Sequence, residues 1–431
     1  MADKKSNIKS FEIQAAQDQG RTVDVKEGIT SFSYYENILS NHLTFQVSIQ
    51  DSGNSIEKDG QRVSIVEGLP IRGGEEIRFN VEDGEGTRLK MEMYLNKLYD
   101  LDETTTTDSF NISGVSKEFF SNEMTRVVKR YDGKISESVR SILKILDAEI
   151  SEIEDTANAY NFIGNDKKPF YVGTWLGTKS IPEEAYGETA GFLLYQTQDG
   201  MNFRSVDGLL GQTVNTSGRK LKRYIYNSSD GFPRGYDGKI VNYEFNRSVD
   251  VHSNLMMGAY NNRTLYFNPY SFVYTHKDFN ITEQKKVKRA GKDEKKDWDF
   301  IAPEFTESTT RLMTSILDVG TIPSGKDAKA QLEAWVDDKD ATNDKVMERM
   351  VQSVMRYNQL FSVTTSITIE GDFSLRAGDI IQCDFPRVSG KPEIDKKSSG
   401  NYLIATLCHY VNPEHTYTQL GLIRDSYGRK L

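Results

Sequence analysis

The sequence predicts an α+β, β-rich fold: two similar small antiparallel β-barrels, the second one interrupted, together with further α+β units. Three observations predict it. Apolar and polar residues alternate over many short runs bounded by Gly and Asp turns, the period of strands with one buried and one wet face. A turn-to-strand segment near residue 70 recurs near residue 375 with its flanking strands. The composition, 22 Tyr and 21 Phe against 10 Pro in 431 residues, suits many strands and large contact surfaces.

The first unit, residues 1–114, reads as strands throughout. Phe11, Ile13 and Ala15 alternate, Val23 and Val25 follow a Gly-Arg turn, and Leu43 to Ile49 repeats at period two before Asp51 to Gly53. Ile77 to Val81 and Leu89 to Leu98 flank a turn at Asp83 to Gly86, which suits a small barrel. Residues 115–212 form an α+β unit. Lys117 to Lys129 has helical spacing, and Ser136 is placed to cap a helix running past Ile150 and Ile153. Gly191 to Val206 reads as a hairpin around Gln198-Asp199-Gly200. Residues 213–255 with 361–431 make the second barrel, and 256–360 an inserted domain. Within the insertion the basic run 285–296 is expected to be an exposed loop, and Ala341 to Leu360 a helix with Val346, Met350, Val354, Met355 and Leu360 on one side.

The length suits about two to four domains. No run of about 18 apolar residues occurs, so no spanning helix is expected. Met1 to Asn7 lacks an apolar signal region, which argues for cytosolic synthesis without export. Two cysteines, Cys383 and Cys408, cannot form a disulfide framework. A net charge of -9 disfavours nonspecific DNA binding as the main task.

The recurring segment is Leu69 to Val81 and, without gaps, Phe373 to Phe385. Apolar Leu69 and Ile71 match Phe373 and Leu375; Arg72, Gly74 and Glu75 match Arg376, Gly378 and Asp379; Ile77 matches Ile381. An alternating strand precedes each copy and two follow it in the same order. The reading is a structural duplication, with Gly reversing the chain before a barrel strand and the Arg at the rim. A common turn-to-strand pattern occurring twice is the bland alternative. A chain carrying one barrel twice lets three subunits build a six-membered ring.

Signatures of catalysis are weak. Gly320 to Asp327 approaches the phosphate-binding loop, yet Asp327 stands where Ser or Thr would hold Mg²⁺, so a capped turn is expected. Cys383, Cys408, His409 and His415 suggest zinc, but neighbours on a strand point to opposite faces. Ser141 to Lys144 has the Ser-x-x-Lys spacing without its companion motifs and reads as plain helix. No carboxylate pair stands out for glycoside hydrolysis, and the basic run lacks the interleaved aromatics of a nucleic-acid site. No catalytic, metal or cofactor site is expected.

Several segments together resemble the baseplate hub of contractile phage tails, the trimeric adaptor between tail tube and central spike, related to the hub half of the type VI secretion spike. They are Thr30 to Leu39 leading into the next strand, Leu69 to Val81, Ser113 to Phe119 with Tyr131 to Ser136, Ala190 to Asp207, and Phe361 onward. The wording is nearest to hubs of myoviruses infecting aquatic bacteria. The resemblance implies two barrels per subunit and six per homotrimer, in a ring receiving a hexameric tube. The remaining domains would form a cup on the spike. It implies a non-enzymatic virion protein, made in the host cytoplasm and placed in the tail baseplate. Expected partners are the tail tube and central spike proteins, with baseplate wedge and tape-measure proteins beside them. DNA would only pass through a lumen, which the net charge suggests is acidic. The insertion is longer and more charged than the family pattern. A tail-associated cell-wall hydrolase and a receptor-binding tail protein are the alternatives.

Overall fold

The computed structural model describes residues 7–15, 21–52, 55–58, 60–69, 71–104, 106–187, 189–214, 218, 220–226, 234–246, 251–283, 288–291, 302–316, 321, 325, 327–336, 344–387 and 393–426. One sheet contains both the first and the last described strands. Its order begins Thr22–Asp24, Asn7–Gln14, Glu76–Glu82, Arg88–Glu103, Asp108–Val115, Thr44–Asp51, Ile29–Asn37. It continues Gly400–Val411, Ile380–Asp384, Arg223–Ile225, Gly238–Asn246, Val363–Glu370, Thr416–Arg424. The last strand also pairs with Gly400–Val411 and so closes six strands into a barrel.

The two halves share one spatial order. Asn7–Gln14, Glu76–Glu82, Arg88–Glu103, Asp108–Val115, Thr44–Asp51 and Ile29–Asn37 succeed one another as do Arg223–Ile225, Ile380–Asp384, Gly400–Val411, Thr416–Arg424, Val363–Glu370 and Gly238–Asn246. Two of their irregularities coincide as well; the first half has further shifts, between Ile8 and Ser10 and between Tyr99 and Asp102, that the second lacks. A register shift between Leu95 and Lys97 corresponds to one between Ile404 and Thr406, and one between Ile29 and Ser31 to one between Ile240 and Asn242. Bulges bend and twist a strand locally, so matched bulges give matched curvature. The halves differ at their first strand: Asn7–Gln14 runs antiparallel to its neighbour Glu76–Glu82, whereas Arg223–Ile225 runs parallel to both of its own.

Burial follows the alternation. Phe45, Val47 and Ile49 turn inward between Thr44, Gln46, Ser48 and Gln50. In the first half Phe11, Phe32, Phe45 and Phe79 meet with ring centroids 5.0 to 6.3 Å apart. This aromatic packing continues into the second barrel's Ile367, Phe385, Tyr402 and Leu420 as one apolar core.

The α+β unit corrects three expectations. The first helix is Lys117–Met124 and stops short of Lys129, because Thr125 is already extended and Val127 bridges to Lys167. Its successor is Ile135–Ile145, with Lys134 and not Ser136 at the N-cap. Ser136 lies inside the first turn, where its backbone N–H donates to Thr156 Oγ1 at 3.1 Å. That helix does not reach Ile150. Asp147 turns the chain at φ 54°, and Ile150–Ile153 becomes a strand parallel to Gly200–Ser205. The hairpin Phe192–Thr197 with Gly200–Ser205 has a two-residue turn, Gln198-Asp199, and Gly200 at φ 118°.

The insertion holds a three-stranded sheet, Val273–Asn280, Asn261–Asn268 and Arg311–Ile316, backed by the helix Asp344–Leu360 through Tyr260, Phe279, Ile281 and Met355. On that helix Met355 and Leu360 are buried as the apolar-side reading expects, whereas Val354 is exposed and Arg356 is buried. The basic run is not an exposed loop where it is described. Ala290 and Gly291 are buried, and their N–H groups donate to Asp425 Oδ1 at 3.1 Å and Ser426 Oγ at 2.9 Å. Residues 285–287 and 292–296 lie outside the described residues, as do most of Gly320 to Lys326; Asp327 Oδ1 accepts Lys329 N–H at 3.2 Å ahead of the helix Ala328–Val336.

Candidate assembly interface

The repeated turns have the same internal wiring. Gly74 and Gly378 adopt φ 85° and 89°, left-handed conformations that a side chain disfavours. Gly74 N–H donates to Leu95 O at 2.8 Å, and Leu95 N–H returns to Glu75 O at 2.8 Å. Gly378 N–H donates to Ile404 O at 2.8 Å, and Ile404 N–H to Asp379 O at 2.9 Å. The acids pin the turns from within. Glu75 accepts Arg72 N–H at 2.7 Å and Gly73 N–H at 2.9 Å, and Asp379 accepts Arg376 N–H at 3.2 Å.

The surroundings of the two turns differ. Arg72 is exposed and a Cβ at Gly74 would meet no atom within 4 Å, whereas the second turn is docked. Arg376 is buried: Nε and Nη2 donate to Asp199 at 3.0 and 3.3 Å, and Nη1 donates to Phe373 O at 2.8 Å and Leu375 O at 2.9 Å. A Cβ at Gly378 would stand 2.2 Å from the Tyr195 hydroxyl oxygen. One copy is therefore open at this end, and the other is filled by the hairpin tip of the α+β unit.

Glu36 closes this junction from the first half of the sheet. It follows Phe32 and Tyr34 on the inward face of Ile29–Asn37, a charge on an apolar stripe that sequence reading passed over. Its carboxylate accepts Tyr34 Oη at 2.9 Å and Gln198 N–H at 2.7 Å through one oxygen, and Ala377 N–H at 2.8 Å through the other. Burial pushes the Glu36 carboxyl above the usual range, although Arg376 and the backbone donors oppose the rise. His409 stands nearby, its ring centroid 4.7 Å from that of Phe373 and 6.0 Å from that of Tyr34. Burial, aided by Arg376, lowers its pKa to about 3, so the imidazole is neutral. Cys408, its neighbour, faces outward and half-buried.

Two further buried clusters tie the units. Arg356 of the insertion donates to Asp207 Oδ1 at 2.9 Å and to Asp425 Oδ2 at 2.8 Å, joining the α+β unit to the end of the second barrel. Asp372 accepts Tyr224 Oη at 2.7 Å and pairs with Lys222. The first half meets the closed barrel by strand pairing: Phe32 to Asn37 runs antiparallel to Thr406 to Val411. A shallow groove of about 600 Å³ crosses that seam, lined by Tyr35, Asn37, Asn242, Thr368, Thr406 and Gln419 among others.

These clusters are organised to hold units together. Glu36, the buried carboxylate beside the groove, already has both oxygens bonded to backbone donors, and no group of three or more metal-ligating side chains occurs among the described residues.

No family model matches the sequence, and no curated protein is similar to it at significance. Solved structures do match. A 43 kDa tail protein of prophage MuSo2 from Shewanella oneidensis superimposes with a TM-score of 0.52 at 10% identity, covering 97% of this chain and 98% of the other. A tail protein of Neisseria meningitidis gives 0.52 at 9%, covering 98% and 97%. A type VI secretion component of E. coli gives 0.42 at 8%, covering 99% and 79%. The fold of this chain, matched over nearly its whole length, is therefore that of these two tail proteins.

Proposed function

We propose that the protein is the structural baseplate hub of a contractile phage tail, a homotrimer that adapts a hexameric tail tube to a trimeric central spike and lets DNA pass through its channel. One observation carries the reading. Two halves with the same strand order, two matched bulges and the same turn hydrogen bonds are fused by a shared sheet into one subunit. Three such subunits present six near-equivalent barrels, which matches a six-fold tube above to a three-fold spike below. The likeness in fold to tail proteins agrees with it.

In this reading residues 1–114 and 213–255 with 361–431 are the ring domains, 115–212 faces the spike, and 256–360 reaches toward baseplate wedge proteins. The turn at Arg72, Gly74 and Glu75 stays open for the tube, whereas Arg376, Gly378 and Asp379 are used to seat the α+β unit. The role is mechanical and not enzymatic. The test is the mass of the purified full-length protein, its binding to tube and spike proteins, and its copy number in tails. Three copies per tail and a trimer capturing both proteins are expected. A stable monomer that binds neither at micromolar concentration, or that turns over peptidoglycan, overturns the reading.

A further inference from the structure

Charge is distributed very unevenly over the sheet. The chain has 54 Lys and Arg residues. Six consecutive strands of the sheet, Asp108–Val115, Thr44–Asp51, Ile29–Asn37, Gly400–Val411, Thr416–Arg424 and Val363–Glu370, contain only one of them, Arg424, and it is buried. Beyond the bulges their outward positions are Ser, Thr, Asn, Gln, Tyr, Cys and Gly, with Gln46, Asn37, Thr406, Gln419 and Ser366 typical. Glu370, at the end of its strand, is the outward acid. The strands beyond them, Arg88–Glu103 and Glu76–Glu82, are different: exposed Arg78 pairs with Glu92 and exposed Arg88 with Glu82 across them, and Lys90 is exposed beside these pairs.

An open sheet face is ordinarily protected by lysines and mixed charges. Interface cores, for their part, are enriched in aromatic residues, Met and Arg and shed Ser. This face lacks the mixed charge of the first and the Met and Arg of the second; its aromatic residues are the partly buried Tyr35, Tyr410 and Tyr417, set among Ser, Thr, Asn and Gln, so it suits water better than a permanent protein partner. Hydroxyls and amides hold water well and offer a phosphate backbone no cation. DNA binding draws its strength from Lys and Arg contacts that release counterions, and here there are none to make. We infer that this neutral face, spanning both barrels across the seam, is the channel surface past which double-stranded DNA moves, and that it avoids retention by omitting cations and not by being acidic. The inference rests on the hub reading and adds to it the residues of the wall and the basis of their low affinity.

The experiment places lysines at three exposed outward positions, Gln46→Lys, Ser366→Lys and Gln419→Lys, together in the full-length protein. Asn7→Lys with Gln61→Lys, exposed but off the face, is the control. The probe is a double-stranded DNA fragment, and virions complemented with each variant are scored for DNA delivery. The unmodified protein is expected to retain no DNA. The triple variant should trimerise normally, gain DNA binding whose log–log salt slope steepens by about 0.9 per lysine, and slow delivery at least tenfold. The control should deliver as the unmodified protein does. Retention of DNA by the unmodified trimer, or normal delivery by a normally assembled triple variant, overturns the inference and leaves the hub reading standing. Failure of the unmodified chain to trimerise or enter tails overturns both.

Discussion

At the scale of residues, the repeated glycines show how one pattern can carry two different loads. Both sit in the left-handed region, where a side chain costs about 1–3 kcal/mol. Gly74→Ala should stay within that cost, since no atom lies within 4 Å of its Cβ position. Gly378→Ala must also displace Tyr195, and overpacking adds about 1–3 kcal/mol. Urea midpoints of the two variants should therefore differ clearly, Gly378→Ala falling further; equal midpoints would remove the docked-turn account. Asp372 supplies a pH test. Burial raises its pKa, yet the Lys222 charge and the hydrogen bonds from Lys222, Ser374 and Tyr224 outweigh it and hold the carboxyl below its ordinary value. A depressed folded pKa gives stability that is present above the unfolded pKa of about 3.9 and lost as pH falls through the folded value. Asp372→Asn should cost about 2 kcal/mol at pH 7. The gap to the unmodified protein should close in denaturation curves taken toward pH 3 and below.

Among the elements, the seam strands matter most. Ile29–Asn37 is paired on both sides, to Thr44–Asp51 within its barrel and to Gly400–Val411 across the seam. If the two pairings open as one cooperative unit, amides on both sides of such a strand exchange together. Phe32 to Asn37 and Thr406 to Val411 are expected to exchange with one common, slow rate, whereas independent barrels would give two. Strand identity was legible in the sequence wherever one face is apolar, because period two survives any surroundings. Helix ends were less legible. Met124 and Val128, 79% and 67% exposed, have the spacing of one helical face, yet the helix ends at Met124, where Thr125 turns extended and Val127 bridges to Lys167. Ile150 and Ile153 kept helical spacing with the helix before them, and became a strand because Gly200–Ser205 offered a parallel edge. A short apolar run is decided by its neighbours, which local pattern does not contain.

For the whole molecule, the buried Arg356 is the keystone of the insertion. Removing it leaves Asp207 and Asp425 buried without their cation, which typically costs about 3–5 kcal/mol. Arg356→Met is expected to lower thermal stability and to expose the helix Asp344–Leu360 to limited proteolysis before the barrels are cut. Simultaneous loss of all parts would mean the insertion is not separately keyed. The sequence by itself determined the strand-rich class, the doubled turn and the alternation that places one face of each strand in a core. These follow from local chemistry: glycine's backbone freedom, and the period of two. Tertiary structure alone decided that Arg376 is buried against Asp199 while Arg72 stays free, that Glu36 links three units, and that Ala290 is a core residue within a basic run. Each depends on partners more than 100 residues away in the chain, whose approach is set by how the packed units meet.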